Sequence, residues 1–577
     1  MTAAPADPAA SGPQHHGNNL VEAEPMAPAT RFRRHPPPPI PEARAGPAPH
    51  PALRWLERAL WLLVPPGYGV LALCFGQDAN WDLLNYHWYN AYALLTGRID
   101  WDLTPAQIPT FYNPAIDVPF YLANQVMAPR AVAFLLGSVQ GLNFCLLYAL
   151  ALRVLRPGRP GLRLLTATGL ALTGLLGGGA LGLLATTFYD NILSLGLFAS
   201  LLAIIAWWPR LTGRRFTAAL GRAILCGLPV GCAMGLKQPN VVYSLALCAT
   251  VLLVPGSIPD RLRATVGFGL GVLLGVALFS GSWMGHLWVH YRNPLFPYMN
   301  NVFGSPFAAP SDYRDPWFLP QNSGELLGYA FKSAFDPLRI GEAWFRDIKI
   351  PLLAMALPGA LLLTACRHRA PPPRLTEPIA SRLVLGAIAF SFLVWLKMFA
   401  IYRYLIPIEM IAPLGLVVAL DHLPLRAARR GAVMAVILIT AQLAVSPADW
   451  GRVPWSDHWI TLRPPTIADP DHTMMLMGGY WATSFVLPFL PRQMPVVRLE
   501  SSFAQPGSNN RFTELIRQRI TAHDGAFAML STIPDTASAA TAAAAYGLML
   551  DATACQVIEN NMGEPLNFCT VRRRSME

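Results

Sequence analysis

Aspartates and aromatic rings crowd together between Asp78 and Pro119. Asp78, Asp82, Asp100, Asp102 and Asp117 are interleaved with Trp81, Tyr86, His87, Trp88, Tyr89, Tyr92, Trp101, Phe111 and Tyr112. Asp78 and Asp82 stand one helical turn apart, and Asn85 and Tyr89 continue the same face if the segment is helical. The stretch lies between two apolar runs, so it sits at a membrane face. Carboxylates backed by aromatics beside a bilayer suit the binding of a sugar or a metal ion, and acid or base chemistry. The same residues equally fit an interfacial aromatic belt with ordinary loop acids.

Further ionisable residues stand where other apolar runs meet. Asp190 lies in GLLATTFYDNILSLG (182–196). A carboxylate near membrane depth costs up to about 2.5–3.5 kcal/mol, so it needs a partner or a task. It either serves a site or caps the helix that it opens. Lys237, in GLKQPN (235–240), either snorkels to the interface or faces a phosphate. His290, Arg292 and Asn293 open a long proline-interrupted loop, 286–348, which is either a lid over an outer cavity or a spacer. Arg403 lies with Lys397 and Glu409 around the short turn MFAIYRYLIPIE (398–409). Its guanidinium either grips a phosphate bidentately or anchors two helices by pairing with Glu409.

These residues need a membrane scaffold to position them. The chain has 577 residues, 53% of them hydrophobic and 13% charged, with a mean hydropathy of +0.36. Soluble domains carry roughly 25% charge, so this is a polytopic membrane protein. Apolar runs near 56–76, 131–152, 164–184, 190–208, 220–236, 239–255, 264–285, 349–366, 380–400, 404–420 and 430–446 predict a mainly α bundle of about eleven spanning helices. The net charge of +11 comes from arginines clustered in alternate loops. That clustering places the N-terminus in the cytoplasm and puts loops 77–130 and 286–348, with the tail after 446, on the outer face. No nucleic-acid motif accompanies the charge. Residues 1–50, rich in Pro and Ala, read as a disordered cytoplasmic tail, and no cleavable signal precedes the first run.

The tail, 447–577, alternates strand and helix patterns: TMMLMG (473–478), PVVRLE (495–500), NRFTELIRQRI (510–520), AFAML (526–530), an Ala-rich helix near 535–550 and CQVIE (555–559). A separate small α/β domain follows, without a Gly-rich phosphate loop. Cys555 and Cys569 would pair if that domain meets an oxidising compartment, and the other cysteines read as inert small hydrophobes.

Taken in order, residues 56–446 resemble the GT-C superfamily of integral-membrane glycosyltransferases. The likeness is to the bacterial branch related to protein O-mannosyltransferases and the lipid A aminoarabinose transferase. WDLLNYHWYNAYALLTG looks like the family's acidic segment after the first helix, with Asp82 matching the acid. Thr96-Gly97 and Phe111-Tyr112-Asn113-Pro114 are similar to the elements that follow. Asp190 matches the second acid, Lys237 the Gly-x-x-Lys segment, and Arg403 to Pro407 the RYL-P turn.

The resemblance implies a bacterial inner-membrane enzyme with its tail in the periplasm. It would move a sugar from a polyprenyl-phosphate donor, with inversion, to a glycan, lipid or protein acceptor. Asp82 would be the general base. Arg403, Lys237 and Arg292 would stabilise the departing lipid phosphate. Tyr86, His87, Tyr89 and Tyr112 would line the sugar or acceptor. The family's usual Asp-Glu pair is here Asp82-Leu83, so either Asp78 supplies the second carboxylate or one acid suffices. Whether a divalent metal ion is a cofactor stays open.

Other functions need other features. A lipid-sugar flippase needs a polar path across the membrane, yet the ionisable residues gather near one face. A glycan ligase or polymerase would not need the acid after the first helix. A scaffold would be indifferent to its removal.

Overall fold

A computed structural model describes residues 50–366 and 373–574. The segment expected to be a disordered tail lies outside these residues, except for His50. All the apolar runs fold as helix. Six helices are long and apolar enough to cross a membrane: Pro129–Val154, Asp190–Leu211, Phe216–Leu236, Ile258–Tyr291, Pro378–Met398 and Tyr402–Leu420. The remaining runs form helices that are shorter or carry more charge, namely Pro51–Ala72, Pro160–Leu175, Val241–Val251, Lys349–Ala365 and Ala427–Leu443. The expected eleven spanning helices therefore reduce, by length and composition, to six among the described residues.

Close helix packing is paid for with small residues. Phe216–Leu236 and Ile258–Tyr291 meet along Gly227 and Gly231 on one side and Gly267, Gly271 and Gly275 on the other. A Cβ at Gly227 would lie 2.0 Å from the Phe268 carbonyl oxygen, and one at Gly271 would lie 2.0 Å from that of Ile224. Small residues four apart let two backbones approach in lipid, where dispersion rather than water expulsion drives association. Gly271→Leu is expected to destabilise the bundle by about 1–3 kcal/mol or more through overpacking. Thermal unfolding in detergent checks this, with the exposed and uncrowded Gly285→Leu as control.

The run at 164–184 breaks in two. Helix Pro160–Leu175 stops, and a short helix, Gly178–Gly182, restarts. Glu409, from the helix Ile406–Leu420, accepts the amides of Gly179 (3.0 Å) and Ala180 (2.9 Å) and the hydroxyl of Tyr402 (2.6 Å). Gly178 donates to Asp347, which pairs with buried Lys349 at 2.5 Å. Glu409 is thus a capping group for a broken helix, and the alternative in which it pairs with Arg403 does not hold.

The tail contains one five-stranded sheet. Its spatial order is Val496–Arg498, Thr473–Met477, Ala526–Thr532, Leu566–Arg573 and Leu548–Ile558. The first three strands run parallel, and the last two join as antiparallel neighbours. Helices Arg511–Ala522 and Thr536–Ala544 complete it. Strand Leu566–Arg573, not anticipated from the sequence, fills the position between two strands that were. Cys555 and Cys569 face each other in register on neighbouring strands and are disulfide-bonded.

The expected separation of the tail at 446/447 is a change of element type, not of packing. Gln77–Asp78 pairs antiparallel with Arg452–Val453, and Leu103 bridges to Val497. One hydrophobic cluster mixes Leu103, Phe111, Trp283 and Phe296 with Leu476, Phe503 and Phe512 of the tail. Beside it, buried Arg98 forks onto Asp102 (2.6 and 2.8 Å) and donates to the Met494 carbonyl (2.8 Å). Asp102 also accepts from the Val496 amide (3.2 Å).

Candidate functional site

The segment after the first helix is not one regular helix. Gln77 and Asp78 are extended, helix begins at Trp81, and Leu83–His87 forms a wider π-helical turn before helix Trp88–Thr96. Asp78 and Asp82 therefore do not share a helical face. Such widened turns re-aim side chains and are frequent at functional sites.

Asp82 faces Arg403, which lies 321 residues further along the chain. Arg403 Nη1 is 3.2 Å from Asp82 Oδ2, and its Nε donates to Glu342 at 2.9 Å. Tyr86, one turn after Asp82, donates its hydroxyl to the same Oδ2 at 3.2 Å. The guanidinium lies 4.1 Å over the Phe188 ring. Among the described residues, Arg403 Nη2 has no protein acceptor. The short Tyr402–Leu405 turn, entered through Ala400 at φ 56°, holds the residue at this point.

A second ion pair adjoins the first. Lys237 Nζ lies 2.9 Å from Asp190 Oδ2 and donates to the Phe188 carbonyl at 2.7 Å. The Tyr404 ring lies 5.3 Å from Lys237 Nζ and 5.7 Å from Arg403 Cζ, so it faces both cations. Tyr189, in the left-handed region at φ 61°, occupies the capping position, and Asp190 turns its carboxylate to Lys237. The alternatives of a helix cap for Asp190 and a snorkelling Lys237 are thereby replaced by a nearly buried pair. Lys237→Ala would strand the carboxylate and is expected to cost about 3–5 kcal/mol. Lys237→Met combined with Asp190→Leu should recover most of that loss, as differential scanning fluorimetry in detergent would record.

Aromatic and imidazole groups continue the cluster. Tyr86 packs edge-on against Tyr112 at 5.2 Å, and the Tyr112 and Tyr298 hydroxyls meet at 2.5 Å. His87 Nδ1 lies 2.6 Å from Asp117, while its buried Nε2 has no partner among the described residues. Burial pushes the His87 imidazole well below its usual range, with Lys237 and Arg403 adding to the shift. Burial also pushes the Asp117 carboxyl well up, against the pull of Lys237. Both directions favour the uncharged form of each partner. The tail reaches the rim, where Tyr480 stacks on Trp81 at 6.1 Å and its carbonyl accepts from Gln107 at 3.0 Å.

The structure thus brings Asp82, Asp190, Lys237, Arg403, Tyr86, His87 and Tyr112 into one neighbourhood. Asp78, Tyr89 and Arg292 are placed otherwise. Asp78 is buried and accepts from Asn80 and from the amide and hydroxyl of Thr187 (both 2.9 Å), so its oxygens are taken up in fixing the 183–189 turn. Its hydrogen-bond partners are thus at this turn and not at the Asp82–Arg403 contact. Tyr89 gives its hydroxyl to Asp102 at 2.6 Å, in the network that docks the tail. Arg292 is exposed at a helix end and makes no ion pair among the described residues.

Glu342 and Tyr298 belong to the cluster without having been singled out, and Asp117, named among the early aspartates, joins it through His87. Glu342 gave no signal of its own, being one of several acids in the 286–348 loop. Three acids face two cations here, Asp82 and Glu342 on Arg403 and Asp190 on Lys237. A separate cleft of about 400 Å³, lined by Arg153, Trp207 and Arg210, lies at the far end of helix Asp190–Leu211. No family model matches the chain, and no curated protein matches it.

Proposed function

We propose that this chain is an inverting membrane glycosyltransferase of GT-C type, drawing on a polyprenyl-phosphate-linked sugar at the outer face of a bacterial inner membrane. The observation that carries the reading is the contact between Asp82 and Arg403, with Lys237–Asp190 alongside. A general base and cations for a departing phosphate are what such a transfer needs.

In this reading Asp82 removes the proton from the acceptor hydroxyl as the oxygen attacks the anomeric carbon. The bond from that carbon to the phosphate oxygen breaks, and the lipid phosphate leaves carrying the electron pair. Arg403, through Nη2, and Lys237 take up the growing negative charge. In the resting protein Arg403 is held by Asp82 and Glu342, and the donor phosphate displaces part of that hold. The Asp82 carboxylate is then released to meet the acceptor. His87 Nε2 and the tyrosine hydroxyls bind sugar or acceptor hydroxyls.

The full set of about eleven spans, with cytoplasmic N-terminus and external tail, belongs to the same reading and rests on the arginine-rich alternate loops. The Cys555–Cys569 bond supports an oxidising location for the tail. The deciding experiment incubates reconstituted protein with radiolabelled polyprenyl-phosphate sugars and membrane extracts. Mass spectrometry compares surface glycans of parent and deletion strains. A missing sugar, together with donor-dependent transfer in vitro, is the expected result. Unchanged glycans and no turnover of any donor would overturn the reading.

A further inference from the structure

The outer end of helix Ile258–Tyr291 carries His286 and His290 one turn apart, and both face Asp100 in the loop after Trp88–Thr96. His286 Nε2 lies 3.3 Å from Asp100 Oδ1, and His290 Nδ1 lies 4.0 Å from the same oxygen. The imidazole centroids are 4.4 Å apart. The three ligand atoms lie within 4.8 Å of one another. A tetrahedral ion with bonds of about 2.0–2.1 Å sets its donors about 3.3–3.4 Å apart, so one edge already fits and small side-chain rotations close the others.

Simple ion pairing explains the arrangement poorly. Two imidazoles converge on a single carboxylate oxygen, and protonating both would set two positive rings against each other. A divalent cation resolves this, because it accepts both nitrogen lone pairs and the carboxylate together. His286 is also held in orientation. Trp283 stacks on it at 5.1 Å, and Trp283 Nε1 donates to the Phe111 carbonyl at 2.9 Å. Supporting contacts of this kind orient metal ligands. Asp100 and His290 are half exposed, which leaves an entry path and room for a water ligand.

We infer that Asp100, His286 and His290 bind a divalent transition-metal ion, Zn²⁺ by ligand type, that clips the first outer loop to the long helix. Two nitrogens and one oxygen form a ligand set typical of zinc. The clip lies beside the tail, since Arg519 of helix Arg511–Ala522 donates to the Trp101 carbonyl next to Asp100. It is distinct from the Asp82–Arg403 cluster and does not depend on the proposed transfer reaction.

The test uses tag-free full-length protein in detergent, stripped with chelator and titrated with Zn²⁺ by calorimetry. One Zn²⁺ per chain and a raised Tm are expected. His286→Ala, His290→Ala and Asp100→Asn should each weaken binding by more than about 100-fold, since even partners one shell out cost about 10–100-fold. Co²⁺ in place of Zn²⁺ gives a readout on the unmutated protein, namely visible absorption of a four-coordinate site that Zn²⁺ abolishes. Absent stoichiometric binding, a Co²⁺ spectrum of the hexa-aquo ion, or binding that survives all three substitutions would each overturn the assignment.

Discussion

Replacing Asp82 with asparagine is expected to lower sugar transfer by about a hundred- to ten-thousand-fold while leaving the protein folded. Asparagine keeps the shape of the side chain and can still accept from Tyr86. It cannot take a proton from an acceptor hydroxyl. Arg403 retains Glu342 as a counter-ion, at 2.9 Å, so the loss of one carboxylate does not leave the guanidinium alone. Donor affinity should not fall, because the base acts on the acceptor and the lost carboxylate competes with the donor phosphate for Arg403. The measurement is transfer rate in proteoliposomes alongside thermal unfolding of the same preparation. Near-native transfer by a well-folded Asp82→Asn protein would sink the assignment of the base.

Arg403→Ala should act on both folding and chemistry. The side chain is 7% exposed, and breaking a buried pair costs about 3–5 kcal/mol because a charge is left behind. Here the stranded groups are Asp82 and Glu342, and the latter is partly exposed and relaxes into water, which holds the loss to the lower part of that range. Arg403→Lys separates the two effects. It keeps the charge but loses the planar fork that reaches Asp82, Glu342 and a phosphate together. Its expected signature is a stable protein with kcat reduced about a hundred- to a thousand-fold, the scale for removing one donor to a developing anion. A lysine variant with unchanged kcat would show that Arg403 only braces the turn it sits in.

Much of the site was legible because its chemistry is costly in lipid. Asp190, Lys237 and Arg403 stand out as ionisable groups at the ends of apolar runs, and the structure gathers them with Asp82. What spacing alone does not reveal is which acid meets which base. Asp78 and Asp82 look equivalent under helical periodicity, but the chain is extended at Asp78 and helical only from Trp81. One acid therefore fixes a turn and the other faces Arg403. Glu409 seemed the natural partner for Arg403 by proximity in sequence, yet the broken helix at Gly178–Gly182 claims it first. Glu342 could not be paired in advance, since a loop residue's neighbours are set by tertiary contacts. In the tail, strand patterns of buried Met, Val and Leu were readable. The strand Leu566–Arg573 was not, because its mixed polar and apolar residues lie beside a strand that is itself largely exposed.

Because Gln77–Asp78 is zipped to Arg452–Val453 and Leu103 to Val497, the order of biogenesis is constrained. The ribosome makes the early loop hundreds of residues before its partner strands exist. That loop must wait, half-assembled, while the remaining helices insert and the C-terminal residues follow. Contacts of such long sequence separation form slowly, and the waiting species exposes unpaired edges. Completion of this sheet is therefore a late step, and chains interrupted before about residue 500 would lack the partner strands that the early loop pairs with.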